Sequence, residues 1–141
     1  MCWKIIKREA DRKRKPVEYE ELQLSSTGEH TRAYLKVQDG CNQFCSYCII
    51  PYVRGRVRSR RKEEVLEEVL RLTKNGYQEF VLTGIHLSSY GVDCEDNLLE
   101  LIKAVHEIEG VKRIRLGSLE PRIITEEFAQ ALGNVPKICP H

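Results

Sequence analysis

The sequence predicts an α/β fold with a parallel sheet, in about three and a half βα units. Three observations predict it. Segments with alternating apolar residues take turns with segments of helical periodicity along 33–139. One strand-like run, Phe80-Val81-Leu82, is apolar without a break, which suits a strand covered on both faces. Each strand pair is separated by a helix, and such crossovers are right-handed and join parallel neighbours.

The elements follow in order. Residues 1–28 form a basic segment or linker, and 29–141 form the domain. Over 1–15, Lys4, Lys7, Arg8, Arg12, Lys13, Arg14 and Lys15 face only Glu9 and Asp11, as in a solvated helix or frayed terminus, with an RNA-facing arm as the alternative. Pro16 interrupts the run, 17–24 alternates like an edge strand, and Ser25-Ser26-Thr27-Gly28 is loop. The first core strand is 33–38, with Ala33, Leu35 and Val37 on one face and the turn pair Asp39-Gly40 after it. A helix over 63–74 carries the stripe Val65, Leu66, Val69, Leu70 and Leu72. Glu63 and Glu64 suit its positive first turn, and Asn75-Gly76 stops it. The second strand is 79–83. Asn97 caps the next helix, with Glu100 as its capping-box partner and Gly110 as the stop. The third strand, 111–116, turns Ile114 and Leu116 inward and Arg113 and Arg115 outward. Thr125 caps a third helix over 126–132, ended by Gly133, and a fourth strand begins at 135–139.

Composition bounds the function. The 141 residues make one domain, and 41% hydrophobic content is enough for a core. A formal charge of +2 excludes a polycationic nucleic-acid binder, although the arginines are locally concentrated. No apolar run is long enough to span a membrane. The first residues are too short and too lysine-rich for an export signal. The expectation is therefore a cytoplasmic protein without a membrane partner, whose six cysteines serve as thiols or metal ligands in preference to disulfides.

The chemistry is concentrated in Gly40-Cys41-Asn42-Gln43-Phe44-Cys45-Ser46-Tyr47-Cys48, which leaves the end of the first strand. Strand ends are where α/β folds place their sites. Cys41, Cys45 and Cys48 can hold three corners of a cubane iron–sulfur cluster and leave one iron open to a ligand. The alternative is a structural zinc site, with His30, His86, His106 or His141 closing the shell. Disulfide pairing is the third reading. Cys2, Cys94 and Cys139 are expected to be free thiols, Cys139 as a small core residue on the fourth strand.

The spacing Cys-x3-Cys-x-Tyr-Cys resembles the signature of radical S-adenosylmethionine (SAM) enzymes. The lead-in 31–40, the continuation Ile49-Ile50-Pro51-Tyr52-Val53-Arg54-Gly55-Arg56-Val57-Arg58-Ser59-Arg60, the segment Thr83-Gly84-Ile85-His86-Leu87-Ser88-Ser89-Tyr90-Gly91 and the run Arg115-Leu116-Gly117-Ser118-Leu119-Glu120-Pro121 narrow it. Together they resemble the methylthiotransferases, most closely the branch that acts on N6-threonylcarbamoyladenosine 37 of tRNA. The likeness runs from about residue 29 to the last.

That resemblance implies a partial (β/α) radical SAM barrel, here its N-terminal half. It implies a 4Fe–4S cluster on Cys41, Cys45 and Cys48, with SAM on the open iron. An electron from a donor then cleaves SAM, and a methylthio group is finally installed at C2 of the adenine. It implies SAM contacts at Tyr47 (adenine), at the backbone of Thr83 and Gly84, and at Ser118 and Glu120 on the third strand's rim. His86 would line the polar pocket. It turns the cations Arg54, Arg56, Arg58 and Arg60, which alternation places on one side, into phosphate contacts for tRNA. The family's second-cluster and RNA-binding domains are not legible in the chain. A fragment, isoform or truncated product is therefore expected, marginal or aggregation-prone alone through its open strand edge. SAM cleavage is then more plausible than complete turnover. A zinc-stabilised RNA-binding module and an inactive truncated product remain the competing readings.

Overall fold

The structure is a computed structural model that describes residues 32–117 and 119–140. Strand β1 (Arg32–Asp39) opens the fold. Helix α1 (Ile50–Val53) and the two-residue strand β2 (Arg58–Ser59) follow. Then come α2 (Lys62–Lys74), β3 (Glu79–Gly84), α3 (Leu98–Glu107), β4 (Arg113–Leu116) and α4 (Glu126–Gly133). Short 3-10 turns at Leu87–Ser89 and Pro121–Ile123 lie in the loops after β3 and β4.

The sheet order is β2-β1-β3-β4. β1 pairs with β3 and β3 with β4, both in parallel, as right-handed βαβ crossovers require. The result is a partial α/β barrel. Two features depart from expectation. β2 adds an antiparallel edge, because 56–59 folds back along β1 and sets Arg58 opposite Asp39. The fourth strand is reduced to a single parallel bridge, Ile114 to Ile138. Pro136 and Pro140 flank that bridge and cannot donate to a ladder.

Ala33, Leu35 and Val37 are buried with Val65, Val69 and Leu72 of α2 and Leu101, Ile102 and Val105 of α3 in one core. Ile114 and Leu116 join it, as the alternation predicts. Asn97 caps α3, its Oδ1 accepting from the Glu100 amide at 2.9 Å. The Glu100 carboxylate, however, pairs with Lys103, so only half of a capping box forms. Thr125 caps α4 through the Phe128 amide at 3.1 Å. The stripe of α2 needs one correction. Leu70 is 44% exposed, and Glu68 is buried in its place. The reason is electrostatic, since Glu68 forms a buried ion pair with Arg60.

At the N-terminal ends of the strands, Glu79 gathers three arginines. Arg115 Nε donates at 2.6 Å, Arg32 Nε stands at 2.8 Å and Arg113 Nη1 at 3.7 Å. Register causes this, because Arg32, Glu79 and Arg113 lie side by side across three strands. The Arg115 bond, with the Arg32 and Arg113 charges, holds the Glu79 carboxyl below its usual range despite its burial. The basic segment 1–28, its loose edge strand, His30, Ser118 and His141 lie outside the described residues.

Candidate metal centre at the strand C-termini

Parallel pairing brings Asp39, Gly84 and Leu116 to one edge of the sheet. The cysteine loop, the 85–97 loop and the 117–125 loop therefore leave the same rim. The register of β1 against β3 shifts between Lys36 and Gln38. Such a bulge re-aims the side chain that follows it. Val37 and Gln38 are consequently both buried, where plain alternation would have put Gln38 on the second face.

Gln38 ties the rim together. Its Nε2 donates to the carbonyls of Asp39 at 2.8 Å and Gly40 at 2.7 Å. Its Oε1 accepts the His86 amide at 2.7 Å. One fully buried amide thus links the start of the cysteine loop to the loop after β3. Gly84 makes room for it, since a Cβ there would stand 2.7 Å from the Gln38 Oε1. Gly40, at φ 71°, is required for a different reason. A Cβ on it would stand 1.9 Å from the Arg56 carbonyl oxygen.

The base of the loop is pinned at both ends. Cys41 N donates to Gly55 O at 3.1 Å, and Asn42 Oδ1 accepts the Val57 amide at 3.2 Å. Asp39 accepts from the Gly40 amide and from Lys36, both at 2.8 Å, and pairs with Arg58 at 3.2 Å. Burial alone would raise the Asp39 pKa. The Lys36 and Gly40 hydrogen bonds, with the Lys36 and Arg58 charges, outweigh it and leave that pKa below the usual value.

Cys41 is buried at the pinned base, and its Sγ accepts from the Gln43 amide at 3.4 Å. Cys45 is exposed, Cys48 is half-buried, and the Cys48 amide closes a turn on Cys45 O at 2.9 Å. The five described cysteines are all free thiols. Among the described residues, no three histidine, cysteine or carboxylate side chains converge on one point as the ligands of a single ion would. Three cysteine thiols on one short loop are nonetheless the donor chemistry that an iron–sulfur cluster takes. His86 is engaged at both ring nitrogens, Nδ1 with Ser89 Oγ at 2.6 Å and Nε2 with Glu120 Oε2 at 3.1 Å. His106 lies on α3, its Nδ1 buried without a partner among the described residues.

The other predicted residues are distributed as follows. Tyr47 is 92% exposed, beside the thiols. Thr83 Oγ1 donates to Leu35 O at 3.3 Å, so its hydroxyl is spent on the sheet and its backbone is what the rim offers. Glu120 sits on the rim, its amide donating to Ser88 Oγ at 2.7 Å and its carboxylate taking Arg122 Nε at 2.6 Å. Ser118 lies outside the described residues.

The single-sided arginine row does not form. Arg54 and Arg56 are exposed, but Arg58 and Arg60 are buried. Arg58 is drawn inward by Asp39 and by the carbonyls of Arg54 at 2.8 Å and Arg56 at 3.2 Å. Arg60 is drawn inward by Glu68. A buried guanidinium in such a pair is not available to a phosphate. Sequence reasoning missed Gln38, Asn42 and the inward arginines. Only an acid at the right distance, Asp39 or Glu68, hinted at the last.

Three thiols on the loop after the first parallel strand of an α/β sheet make this rim the candidate site for a metal cofactor. The sequence pattern of the radical SAM superfamily matches residues 35–137, and the chain belongs to that superfamily. Its relatives narrow the likeness. It is 47% identical over 125 residues to the threonylcarbamoyladenosine tRNA methylthiotransferase of Bacillus subtilis, covering 87% of this chain and 28% of that protein. With the enzyme of the same name from Chlamydia pneumoniae it shares 44% over 122 residues, 86% of this chain and 29% of the relative. With the tRNA-2-methylthio-N(6)-dimethylallyladenosine synthase of Clostridium tetani it shares 42% over 113 residues, 79% and 25% respectively. The chain thus spans less than a third of the length of each of these relatives.

Proposed function

We propose that this chain is the cluster- and SAM-binding part of a cytoplasmic tRNA methylthiotransferase. Its target would be C2 of N6-threonylcarbamoyladenosine 37. The observation that carries the reading is the loop of Cys41, Cys45 and Cys48 on the C-terminal rim of the sheet, in a chain of the radical SAM superfamily. These thiols would hold a 4Fe–4S cluster, which when bound supplies the electron that cleaves the sulfonium of SAM.

The chain's own residues would do the rest. Gln38 and Asn42 fix the two ends of the loop base, so the thiols start from a defined place. Tyr47 offers an exposed ring for the SAM adenine. The backbone of Thr83 and Gly84, Ser118 and the carboxylate of Glu120 would meet the rest of SAM from the neighbouring loops. An external electron donor would supply the electron for SAM cleavage, and the sulfur of the methylthio group would have to come from a separate sulfur donor. The dimethylallyladenosine synthase of Clostridium tetani is 42% identical over 113 residues, so the substrate branch rests on the 47% and 44% shared with the two threonylcarbamoyladenosine relatives.

The test is anaerobic reconstitution, addition of SAM and dithionite, and assay of 5′-deoxyadenosine. Formation of 5′-deoxyadenosine that is lost in Cys45→Ser supports the reading. Equal amounts from wild type and Cys45→Ser refute it. Transcripts bearing threonylcarbamoyl- or dimethylallyladenosine then separate the two branches.

A further inference from the structure

No acidic residue occurs between Gly40 and Lys62, although six arginines and lysines do. Arg58 and Arg60 are neutralised internally, and Lys62 pairs with Asp96 at 2.8 Å. Arg54, Arg56 and Arg61 remain exposed, with no carboxylate partner among the described residues. Beside them the chain exposes apolar surface. Tyr52 is 54% exposed, and Val53 and Ile49 more so.

These groups are ordered relative to one another. The Arg56 guanidinium lies 4.5 Å from the Phe44 ring centroid, stacked over its face. Phe44 meets Tyr52 edge to face, centroids 5.6 Å apart at 89°. Phe44 holds φ 49°, a conformation an aromatic residue rarely adopts. Its ring meets Arg56 over one face and Tyr52 edge to face, within the cysteine loop itself. Strain of this kind collects at ligand sites.

We infer that the ladder Arg56–Phe44–Tyr52 is a stacking platform for an unpaired nucleotide of an RNA strand, with Arg54 and Arg56 taking its phosphates. An aromatic ring flanked by unpaired cations matches a base flanked by phosphates, and a duplex would offer no free base face. Phe44 lies between Cys41 and Cys45, so a base held there is delivered beside the thiols. The inference rests on the tRNA reading above and names the surface that reading needs.

The experiment uses the full chain after anaerobic reconstitution. Fluorescence anisotropy compares a labelled single-stranded RNA heptamer with a blunt duplex of the same length. The single strand binds the more tightly. Tyr52→Ala weakens it about tenfold, and Tyr52→Phe restores it. Arg54→Ala and Arg56→Ala each lower the slope of log affinity against log salt by about 0.7. Lys103→Ala, on α3, changes neither. Unaltered binding by Tyr52→Ala, equal affinity for the duplex, or no RNA binding at all overturns the platform; the last would leave the patch to a protein partner. Iron content and SAM cleavage are read on the same preparations. A protein that cleaves SAM but is indifferent at Tyr52 refutes the platform alone. One that holds no iron and cleaves no SAM refutes the function proposed above.

Discussion

Gln38 is the residue on which the rim turns. Three hydrogen bonds converge on one buried amide, and each lost partner would leave a backbone group unsatisfied, at about 1–3 kcal/mol. Gln38→Met keeps the volume and removes the bonds. We expect it to lower stability by about that amount and to reduce iron retention. Gly84→Ala should do the same from the other side, by pressing on Oε1. Denaturant melts and iron counts of both variants check this, and wild-type iron content in both would contradict it. Glu79 sets the acid response. Its pKa is held below its ordinary 4.5 in the fold, so its contribution is present above that value and is lost as pH falls through the lower folded value. Thermal melts between pH 6 and about 3 should therefore fall less steeply in Glu79→Gln, which is less stable at neutral pH. Asp39 shifts in the same direction and adds to the same window. The cysteines were legible from spacing. Gln38 was not, because a one-residue bulge breaks the alternation from which its direction would be read.

At the scale of elements, the segment 54–62 departs furthest from its sequence reading. Alternation predicted an exposed basic ribbon. The chain instead folds Arg58 onto Asp39 and Arg60 onto Glu68, and so fastens β2 to β1 and to α2. Tyr90 reinforces this by donating its hydroxyl to Arg60 O at 2.9 Å, and burial raises its pKa far above the ordinary phenol value. Deleting the acid should be costly. Glu68→Ala strips this carboxylate from a buried guanidinium, and we expect a loss of about 3–5 kcal/mol, read by urea denaturation. Asn97→Ala, which removes only a cap, should cost about 1 kcal/mol by the same measurement. Helix and strand positions were largely legible, because 3.6- and 2-residue periodicities are local. Long-range ion pairs are not, and neither the inward arginines nor β2 has a local signature.

For the whole molecule, the sheet arranges two ends with different tasks. Glu79 locks the N-terminal ends of three strands, and the C-terminal ends carry the thiols and the polar rim. The parallel order was legible from alternating elements and the unbroken run at 80–82. The candidate site was legible because its three thiols lie within eight consecutive residues. The joining of His86 to Glu120 across two loops follows only from the three-dimensional fold. The central claim is an open iron–sulfur cluster on Cys41, Cys45 and Cys48. It is tested most directly by anaerobic reconstitution, with metal analysis and electron paramagnetic resonance of the reduced protein before and after SAM. About four irons per chain and a spectrum that changes with SAM are the expected result. One tightly held zinc, with no cluster and no response to SAM, would contradict the claim.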